Sequence, residues 1–265
     1  MICWVVERAL AARNVGRAIV ATDDERILEA VKSAGFEAVL TSAEHRSGTD
    51  RIAEVVAKME DASIIVNVQG DEPLISPVTI EQAVAGILDD SEEEVGIVTT
   101  WEPMESGADV MNPDVVKIVI DENDGAVYFS RSPVPYPRDA VRTHGSLEAA
   151  LANEPALLSG FRKHTGLYVY RRDVLLGFAK WPQSELERGE SLEQLRALEH
   201  GVKIKAIKAS TASIGVDTAE DLRRVREIVS SSEFQFSGSN NRRHQGTTRN
   251  IQLETRNSKL ETKNL

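Results

Sequence analysis

The feature that most constrains the fold is the alternation of short apolar runs with amphipathic stretches over roughly the first half of the chain. Apolar runs predict strands at 17–22, 37–41, 63–68 and 95–101. Helical periodicity between them predicts helices at 2–14, 25–34, 49–60 and 77–89. Apolar runs without polar alternation, separated by helices, are typical of parallel strands that are covered on both faces. We therefore predict an α/β fold with a doubly wound, mostly parallel sheet, in which ligands bind at the carboxyl ends of the strands.

The pattern changes at residue 115. Two apolar runs flank Glu-Asn-Asp-Gly at 122–125, which predicts a β-hairpin. Further strands are predicted at 163–172 and 203–209, and further helices at 172–180, 190–200 and 218–229. We interpret 1–230 as one domain in which 115–200 forms a smaller lobe, a candidate oligomer surface.

The last 35 residues differ in composition from the rest of the chain. Residues 231–265 are rich in Ser, Asn, Arg, Thr and Gln and contain few apolar side chains. Segments of this kind bury too little apolar surface to offset the entropy lost on folding. We therefore predict a disordered tail.

Charge and cysteine content exclude several classes of protein. The net charge of -11 argues against nonspecific binding to nucleic acid, because a phosphate backbone favours a basic surface. Cys3 is the only cysteine, so the chain has no intramolecular disulfide and no thiolate metal cluster. No apolar run approaches the roughly 18 residues of a membrane span, and no signal-peptide pattern opens the sequence. These observations predict a cytoplasmic protein that does not bind membranes.

The most specific motif is Asn67-Val-Gln-Gly-Asp-Glu-Pro73, which directly follows an apolar strand. Its glycine permits close approach of a ligand to the backbone. Asp71 would project from the carboxyl end of a parallel strand, and carboxylate oxygens are suitable ligands for Mg²⁺. The residues alone favour an ordinary strand-to-loop turn with solvated acids over a metal site.

Several other segments, together with this motif and in the same order, resemble the family of cytidylyltransferases that activate the sugar acid 3-deoxy-manno-octulosonate (KDO). These segments are VATDDERI (20–27), HRSGTDR (45–51), NPDVVKIV (112–119), YFSR (128–131), KHTGLYVYR (163–171), LEQLR (192–196) and GVDTAEDL (215–222). The resemblance covers essentially the whole of 2–229. It implies a Rossmann-like nucleotidyltransferase fold with a sugar-binding and dimerisation lobe in 115–200. It also implies CTP and KDO as substrates, Mg²⁺ as cofactor and a homodimer, with the product used in lipopolysaccharide synthesis.

The family's metal-binding, catalytic aspartates correspond to Asp71 and Asp217. Taken alone, Asp217 has the position of an ordinary helix N-cap, since Asp-Thr-Ala-Glu opens an amphipathic helix. Both roles are compatible, because one carboxylate oxygen can cap a helix while the other meets a cation.

The family's sugar-acid contacts correspond to Gln69, Arg131, His164, Tyr168, Glu193 and Gln194. Each has a structural alternative. Arg131 ends a strand and suits either a surface ion pair or bidentate capture of a carboxylate. His164 and Tyr168 are four apart on a strand and share a face. Gln194 has capping-box spacing from Ser191, and Glu193 flanks an apolar stripe as a solvated helix acid would.

The nucleotide contacts of the family correspond to Ser47 and Arg51. Arg51 lies in the first turn of a predicted helix, where pairing with Asp50 or Glu54 is the alternative.

One part of the family pattern has no counterpart. Its members begin with a strand and a basic loop resembling P-A-R-x-x-S-x-R-L-P-G-K-P-L, which holds the triphosphate, and here Met1 falls after that loop. We therefore expect a sheet whose first, central strand is missing, and a gene model with a late start codon or a poorly active fragment. Comparing CTP-dependent diphosphate release by this chain and by an upstream-extended version tests that expectation. The alternatives are a cytidylyltransferase for another acid sugar, such as a sialic acid, or a non-catalytic remnant.

Overall fold

The computed structural model describes residues 1–90, 94–212, 214–216 and 218–230, and the backbone of 250–254. The chain forms two compact units, Met1–Glu81 with Ser213–Leu265 (unit 1) and Gln82–Ala212 (unit 2). The boundary falls within helix α4, Pro77–Leu88. The predicted lobe at 115–200 lies inside unit 2.

Unit 1 is built of helices and strands in alternation. Its elements are α1 (Ile2–Leu10), β1 (Arg17–Thr22), α2 (Glu25–Ser33), β2 (Glu37–Leu40), α3 (Gly48–Ala57), β3 (Ile64–Gln69), α11 (Ala219–Ser230) and β9 (Asn250–Glu254). The strands lie in the order β2-β1-β9-β3, and every adjacent pair is parallel. This confirms the predicted parallel α/β arrangement for this part of the chain.

The helices α2 and α3 of unit 1 begin at short polar side chains, in line with the capping preference. Asp24 caps α2 by accepting a hydrogen bond from the amide of Arg26, and Ser47 caps α3 by accepting one from Asp50. The buried faces of β1 and α3 meet in an apolar cluster made of Ile19, Ala21, Val55, Met59 and Ala62. That packing holds the C-terminal part of α3 against β1.

β9 departs from the predicted disordered tail at 250–254, and the rest of that prediction, 231–249 and 255–265, lies outside the described residues. The structure describes only Asn250–Glu254 of the stretch 231–265, and these residues form a central strand rather than a disordered segment. The position that we expected to be missing from the sheet is therefore filled. The composition of the segment did not predict this strand, because a strand is stabilised by hydrogen bonds and packing with its neighbours. The average composition of a short segment contains no information about those neighbours.

Unit 2 combines a mixed sheet with short helices. Its elements are β4 (Val95–Pro103), α5 (Gly107–Met111), β5 (Lys117–Ile120), β6 (Ala126–Ser130), α6 (Arg138–His144), α7 (Leu147–Asn153), a 3-10 helix (Pro155–Gly160), β7 (Arg162–Arg171), α8 (Arg172–Phe178), α9 (Glu185–Glu190), α10 (Gln194–Glu199) and β8 (Lys203–Lys208). β4 is antiparallel to β7 and parallel to β8, and β5 pairs antiparallel with β6 and β7. The hairpin predicted around 122–125 is confirmed as β5–β6.

Three short helices between β4 and β7 were not predicted. α5 and α7 pack against the residue that precedes β7 in an apolar cluster that includes Val110, Leu151 and Phe161. None of the helices in the described part of the chain has the length and apolarity that crossing a bilayer requires.

Candidate functional site

The carboxyl end of β3 carries the first predicted site residues. β3 ends at Gln69, and a turn through Gly70 and Asp71 follows, closed by a 3.2 Å hydrogen bond from the amide of Glu72 to the carbonyl of Gln69. Asp71 is partly exposed at this edge of the parallel sheet. The side-chain Oε1 of Gln69 is buried and accepts no hydrogen bond from any described residue. A buried amide oxygen without a donor is the kind of group that a bound ligand satisfies.

A hydrogen bond joins this turn to the segment that carries the second predicted metal ligand. The amide of Val216 donates to the carbonyl of Asp71 over 2.9 Å. Asp217, the next residue, lies outside the described residues, so its carboxylate is not placed. Among the described residues no group of three acidic, histidine or cysteine side chains forms a metal site. The two segments therefore meet, and the shared Mg²⁺ stays a prediction.

The first turn of α11 is held by Thr218, and the interpretation of Asp217 as an N-cap falls on a residue outside the described ones. The Thr218 hydroxyl accepts a hydrogen bond from the Asp221 amide (3.1 Å), and the Asp221 carboxylate accepts one from the Thr218 amide (3.0 Å). This reciprocal arrangement has the form of a capping box at the start of α11.

Ser47 and Arg51, the predicted nucleotide contacts, both lie at the N-terminus of α3. Arg51 is buried, and its guanidinium pairs with Asp23 at 3.1 Å and donates to the hydroxyl of Thr41 at 2.6 Å. The alternative partners Asp50 and Glu54 are therefore wrong for the ion pair of Arg51 that the structure describes. This contact holds Arg51 against the residues that follow β1 and β2, at the carboxyl end of the sheet.

An aromatic row on unit 2 contains two predicted sugar contacts. The ring centroids of His164 and Tyr168 lie 5.4 Å apart, and Phe129 and Tyr170 extend the row on either side, at 5.0 Å and 5.8 Å. The predicted common face of His164 and Tyr168 is confirmed. His164 Nε2 is 2.9 Å from the hydroxyl of Thr99, and desolvation lowers the pKa of His164 to about 3. His164 is therefore neutral near pH 7 and serves as a hydrogen-bonding group, not as a cation.

Arg131 is held by backbone carbonyls at the end of β6. Its Nε donates to the carbonyl of Glu190 at 2.7 Å, and its terminal nitrogens donate to Pro113 at 2.9 Å and Ser191 at 3.4 Å. The Glu190 carboxylate accepts from the hydroxyl of Ser130 and from the Arg131 amide. These contacts orient the guanidinium and leave part of its donor set for a ligand.

The start of α10 differs from the capping box that we predicted. Ser191 is the C-cap of α9 in the left-handed conformation, with φ 53°, and makes no cap for α10. Glu193 is the N-cap residue of α10 and is partly buried, and Gln194 is 5% exposed. The solvated-acid interpretation of Glu193 is therefore wrong. The capping box belongs instead to Ser184 and Glu187 at the start of α9.

Comparison with known proteins decides the family. The model of the cytidylyltransferase family matches residues 1–204. A 3-deoxy-manno-octulosonate cytidylyltransferase from Syntrophotalea carbinolica is 48% identical over 225 residues, covering 85% of this chain and 86% of the relative. The chain belongs to the 3-deoxy-manno-octulosonate cytidylyltransferase family. The relative from Pseudomonas fluorescens is 47% identical over 86% of this chain and 87% of its own. A solved CMP:2-keto-3-deoxy-manno-octonic acid synthetase complexed with CTP superposes with a TM-score of 0.74 at 40% identity, covering 86% of each chain.

Two polar residues of this cytidylyltransferase stand out although the sequence did not single them out. Asn67 is completely buried on β3, and neither atom of its side-chain amide has a hydrogen-bond partner among the described residues. Lys117 is also completely buried, and its Nζ donates to the carbonyls of Asn112 and Val115 at 2.9 and 2.6 Å. Burial lowers the pKa of Lys117, and the charge of Arg131 lowers it further. Both residues lie inside segments that resemble the family. This resemblance was the only feature of the sequence analysis that could have pointed to them.

Proposed function

We propose that this chain transfers the CMP group of CTP to 3-deoxy-manno-octulosonate, giving CMP-KDO and diphosphate for lipopolysaccharide synthesis. The observation that carries the proposal is the 48% identity to a relative named 3-deoxy-manno-octulosonate cytidylyltransferase. The hydrogen bond from the Val216 amide to the Asp71 carbonyl supports it, because Val216 directly precedes Asp217 in the sequence. The 40% identical synthetase complexed with CTP supports CTP as the nucleotide.

In the proposed reaction the anomeric hydroxyl of the sugar acid attacks the α-phosphorus of CTP. A new P–O bond forms to the sugar, the bond to the β-phosphate oxygen breaks, diphosphate leaves, and the hydroxyl proton passes to solvent. Such a transfer depends mainly on positioning and on stabilising charge.

Unit 1 supplies the nucleotide and metal residues. Ser47 and Arg51 would contact the cytosine side of CTP from the N-terminus of α3. Asp71 fits a role as Mg²⁺ ligand because it is a partly exposed acidic residue in the turn that follows β3, and Asp217 would be the second ligand. When bound, Mg²⁺ would neutralise phosphate charge and orient the reacting hydroxyl. Gln69, whose Oε1 is buried without a donor, would accept a hydrogen bond from the sugar.

Unit 2 supplies the sugar-acid residues. Arg131 would bind the carboxylate, since its guanidinium is fixed by three carbonyls and matches a carboxylate in geometry. Neutral His164 and Tyr168 would contact the sugar hydroxyls from one face of β7. Glu193 and Gln194 would do the same from the start of α10.

The metal assignment is tested by Asp71→Asn and Asp217→Asn, with Asp61→Asn as matched control because Asp61 is exposed and precedes β3. We expect each site variant to lower kcat for CTP-dependent diphosphate release about 100-fold or more, corresponding to several kcal/mol of lost charge stabilisation. The Mg²⁺ concentration for half-maximal activity should rise as well, while the control keeps the parent values. Parent-like rates and Mg²⁺ dependence in both site variants would contradict the assignment.

The substrate assignment is tested with a panel of acid sugars. KDO should be converted with CTP, whereas a sialic acid should not, and calorimetric titration with CTP and Mg²⁺ should show binding. Preferential conversion of the sialic acid would show that the substrate is another acid sugar rather than KDO. Failure to bind CTP would contradict the assignment as an enzyme.

We also propose that the enzyme acts in the cytoplasm, where its nucleotide substrate is made, and that it forms a homodimer. Within 115–200, the lobe predicted as a candidate oligomer surface, Tyr136 is 61% exposed and Val127 is 57% exposed, whereas Phe129 is buried. Light scattering after gel filtration tests the dimer, and a monomer mass at micromolar concentration would contradict it.

A further inference from the structure

β9 occupies a slot between β1 and β3. Its five residues pair in parallel along their whole length on both sides, with Arg17–Ala21 of β1 and Ile65–Gln69 of β3. Adjacent strands lie about 4.7–4.9 Å apart, so β1 and β3 are separated by about twice that distance. β1 and β3 therefore cannot hydrogen-bond to each other across the slot, and it admits one strand.

An empty slot would leave costly surfaces in the interior of unit 1. The residues of β1 and β3 that flank it are almost completely buried, including Val20, Val66 and Val68. Without β9 the facing N–H and C=O groups of both strands would lose their partners, and unpaired backbone groups in a protein interior are rare. α1 and α3 also contact β9, so both helices would lose part of the surface on which they pack.

The register adds a second observation. Gln252 occupies the position beside Asn67 of β3, and the buried amide of Asn67 has no hydrogen-bond partner among the described residues.

We propose that the slot between β1 and β3 is a strand-acceptor site and that Asn250–Glu254 of the same chain is its occupant, so that unit 1 depends on its C-terminal segment for stability. Residues 231–249 connect α11 to β9. Because the connection is covalent, the segment can enter the slot without a second molecule, which favours it over the same segment of a second copy. The proposal concerns folding and does not rest on the transfer of CMP.

The slot also relates the C-terminal segment to the nucleotide site. Glu254 pairs with Ala21 and Gln69, so β9 ends at the same edge of the sheet as β1 and β3. Asp23 and Asp71 follow at that edge. Occupancy of the slot should therefore be needed for a formed CTP site.

Gln252→Pro tests the proposal, with Thr247→Pro as matched control three residues before the strand. Proline removes a ladder donor and is not accepted in a central strand, so Gln252→Pro should lower Tm by about 6–12 °C. The control should stay within about 2 °C of the parent. Equal Tm values for the two variants would overturn the proposal.

A second variant tests the slot itself. The chain truncated after residue 247 should lose thermal stability, and a peptide of residues 248–256 in excess should restore part of it, whereas a scrambled peptide should not. Truncation without any change in Tm would overturn the proposal.

Hydrogen exchange on the unmodified chain gives a result even where the variants do not fold. The amides of 250–254 should exchange about as slowly as those of β3, and exchange at the rate of an unstructured peptide would overturn the proposal. Tm should also be independent of protein concentration. A rise of Tm with concentration would indicate a second copy as donor and would overturn the assignment to the same chain.

Discussion

The ion pair between Glu187 and Arg196 offers a quantitative test of how unit 2 supports the start of α10. Two hydrogen bonds join the groups, Arg196 Nε to Oε2 at 2.7 Å and Nη2 to Oε1 at 2.5 Å, and both side chains are only 5–6% exposed. The guanidinium also lies over the ring of Phe178 at 4.5 Å from its centroid. A buried charge that loses its partner costs about 3–5 kcal/mol.

We therefore predict that Glu187→Gln lowers the free energy of unfolding by about 3–5 kcal/mol at pH 7. For a chain of this length that corresponds to a fall in Tm of about 6–20 °C. The measurement is urea unfolding followed by fluorescence, checked by calorimetry. Glu220→Gln is the control, because Glu220 and its partner Arg223 are both more than 60% exposed, and an exposed pair contributes at most about 1 kcal/mol.

A second variant separates the charge effect from a change of shape. In Glu187→Gln/Arg196→Met neither charge remains, so much of the lost stability should return. A loss in Glu187→Gln no larger than in Glu220→Gln would refute the reasoning. Equal instability of the single and double variants would show that packing, rather than the unpaired charge, is responsible.

The pH dependence of the same pair has a defined sign. Burial by itself would raise the pKa of Glu187, but the hydrogen bonds from Arg196 and the Ser184 amide outweigh it and the pKa is lowered. A carboxylate with a lowered pKa in the folded state stabilises above its ordinary value of 4.5. That contribution is lost as the pH falls through the folded-state pKa. The loss of unfolding free energy caused by Glu187→Gln should therefore be smaller under acid conditions than at pH 7.

Three further predictions concern single positions. Ser47→Ala should lower the free energy of unfolding by about 0.5–2 kcal/mol, because it removes the cap of α3, and it should raise KM for CTP. The control Ser146→Ala, which removes the cap of α7, should lower stability without changing KM. Equal KM values for the two variants would contradict the nucleotide role of Ser47. The pKa of Glu54 is lowered to about 2, first by a hydrogen bond from the Ser42 amide and then by its basic neighbours. The parent should therefore lose stability as the pH falls from about 4.5 to 2, and Glu54→Gln should reduce that loss. An unchanged dependence of unfolding free energy on pH would contradict this. Gly125→Ala should cost about 1–3 kcal/mol in urea unfolding, because its methyl group would lie 2.7 Å from the carboxylate of Asp121, and a parent-like midpoint would contradict the clash.

The sequence allowed prediction of the elements whose burial is periodic. β1 has the predicted bounds, β3 and the β5–β6 hairpin lie where expected, and each is an apolar run next to a turn signal. The helices α5, α6 and α7 were missed because five to seven residues carry too few turns to show a period. The caps at Ser106 and Ser146 were the local signal for two of them.

Other features could not follow from local sequence because distant residues create them. β9 forms a strand because the backbone groups of β1 and β3 are available to pair with it on both sides. The residues 250–254 themselves give no sign of these two partners. The partner of Arg51 is Asp23, which lies nearer the N-terminus by 28 positions, so a search within one helix turn found only wrong candidates. The family resemblance supplied site residues for the same reason, since it carries information about the third dimension.

Several predicted ligand residues already have structural partners, and this bears on how binding energy is used. Ser47 holds the first turn of α3, Arg51 holds Asp23 and Thr41, and Arg131 donates to three carbonyls. A side chain fixed in this way has lost its rotamer freedom during folding, so a substrate need not supply that entropy again on binding. Precise placement also matters most for reactions that proceed by positioning and charge stabilisation. The structural contacts of these residues are therefore compatible with their proposed roles, and they explain how flexible arginine side chains can be held in place for a small anionic substrate.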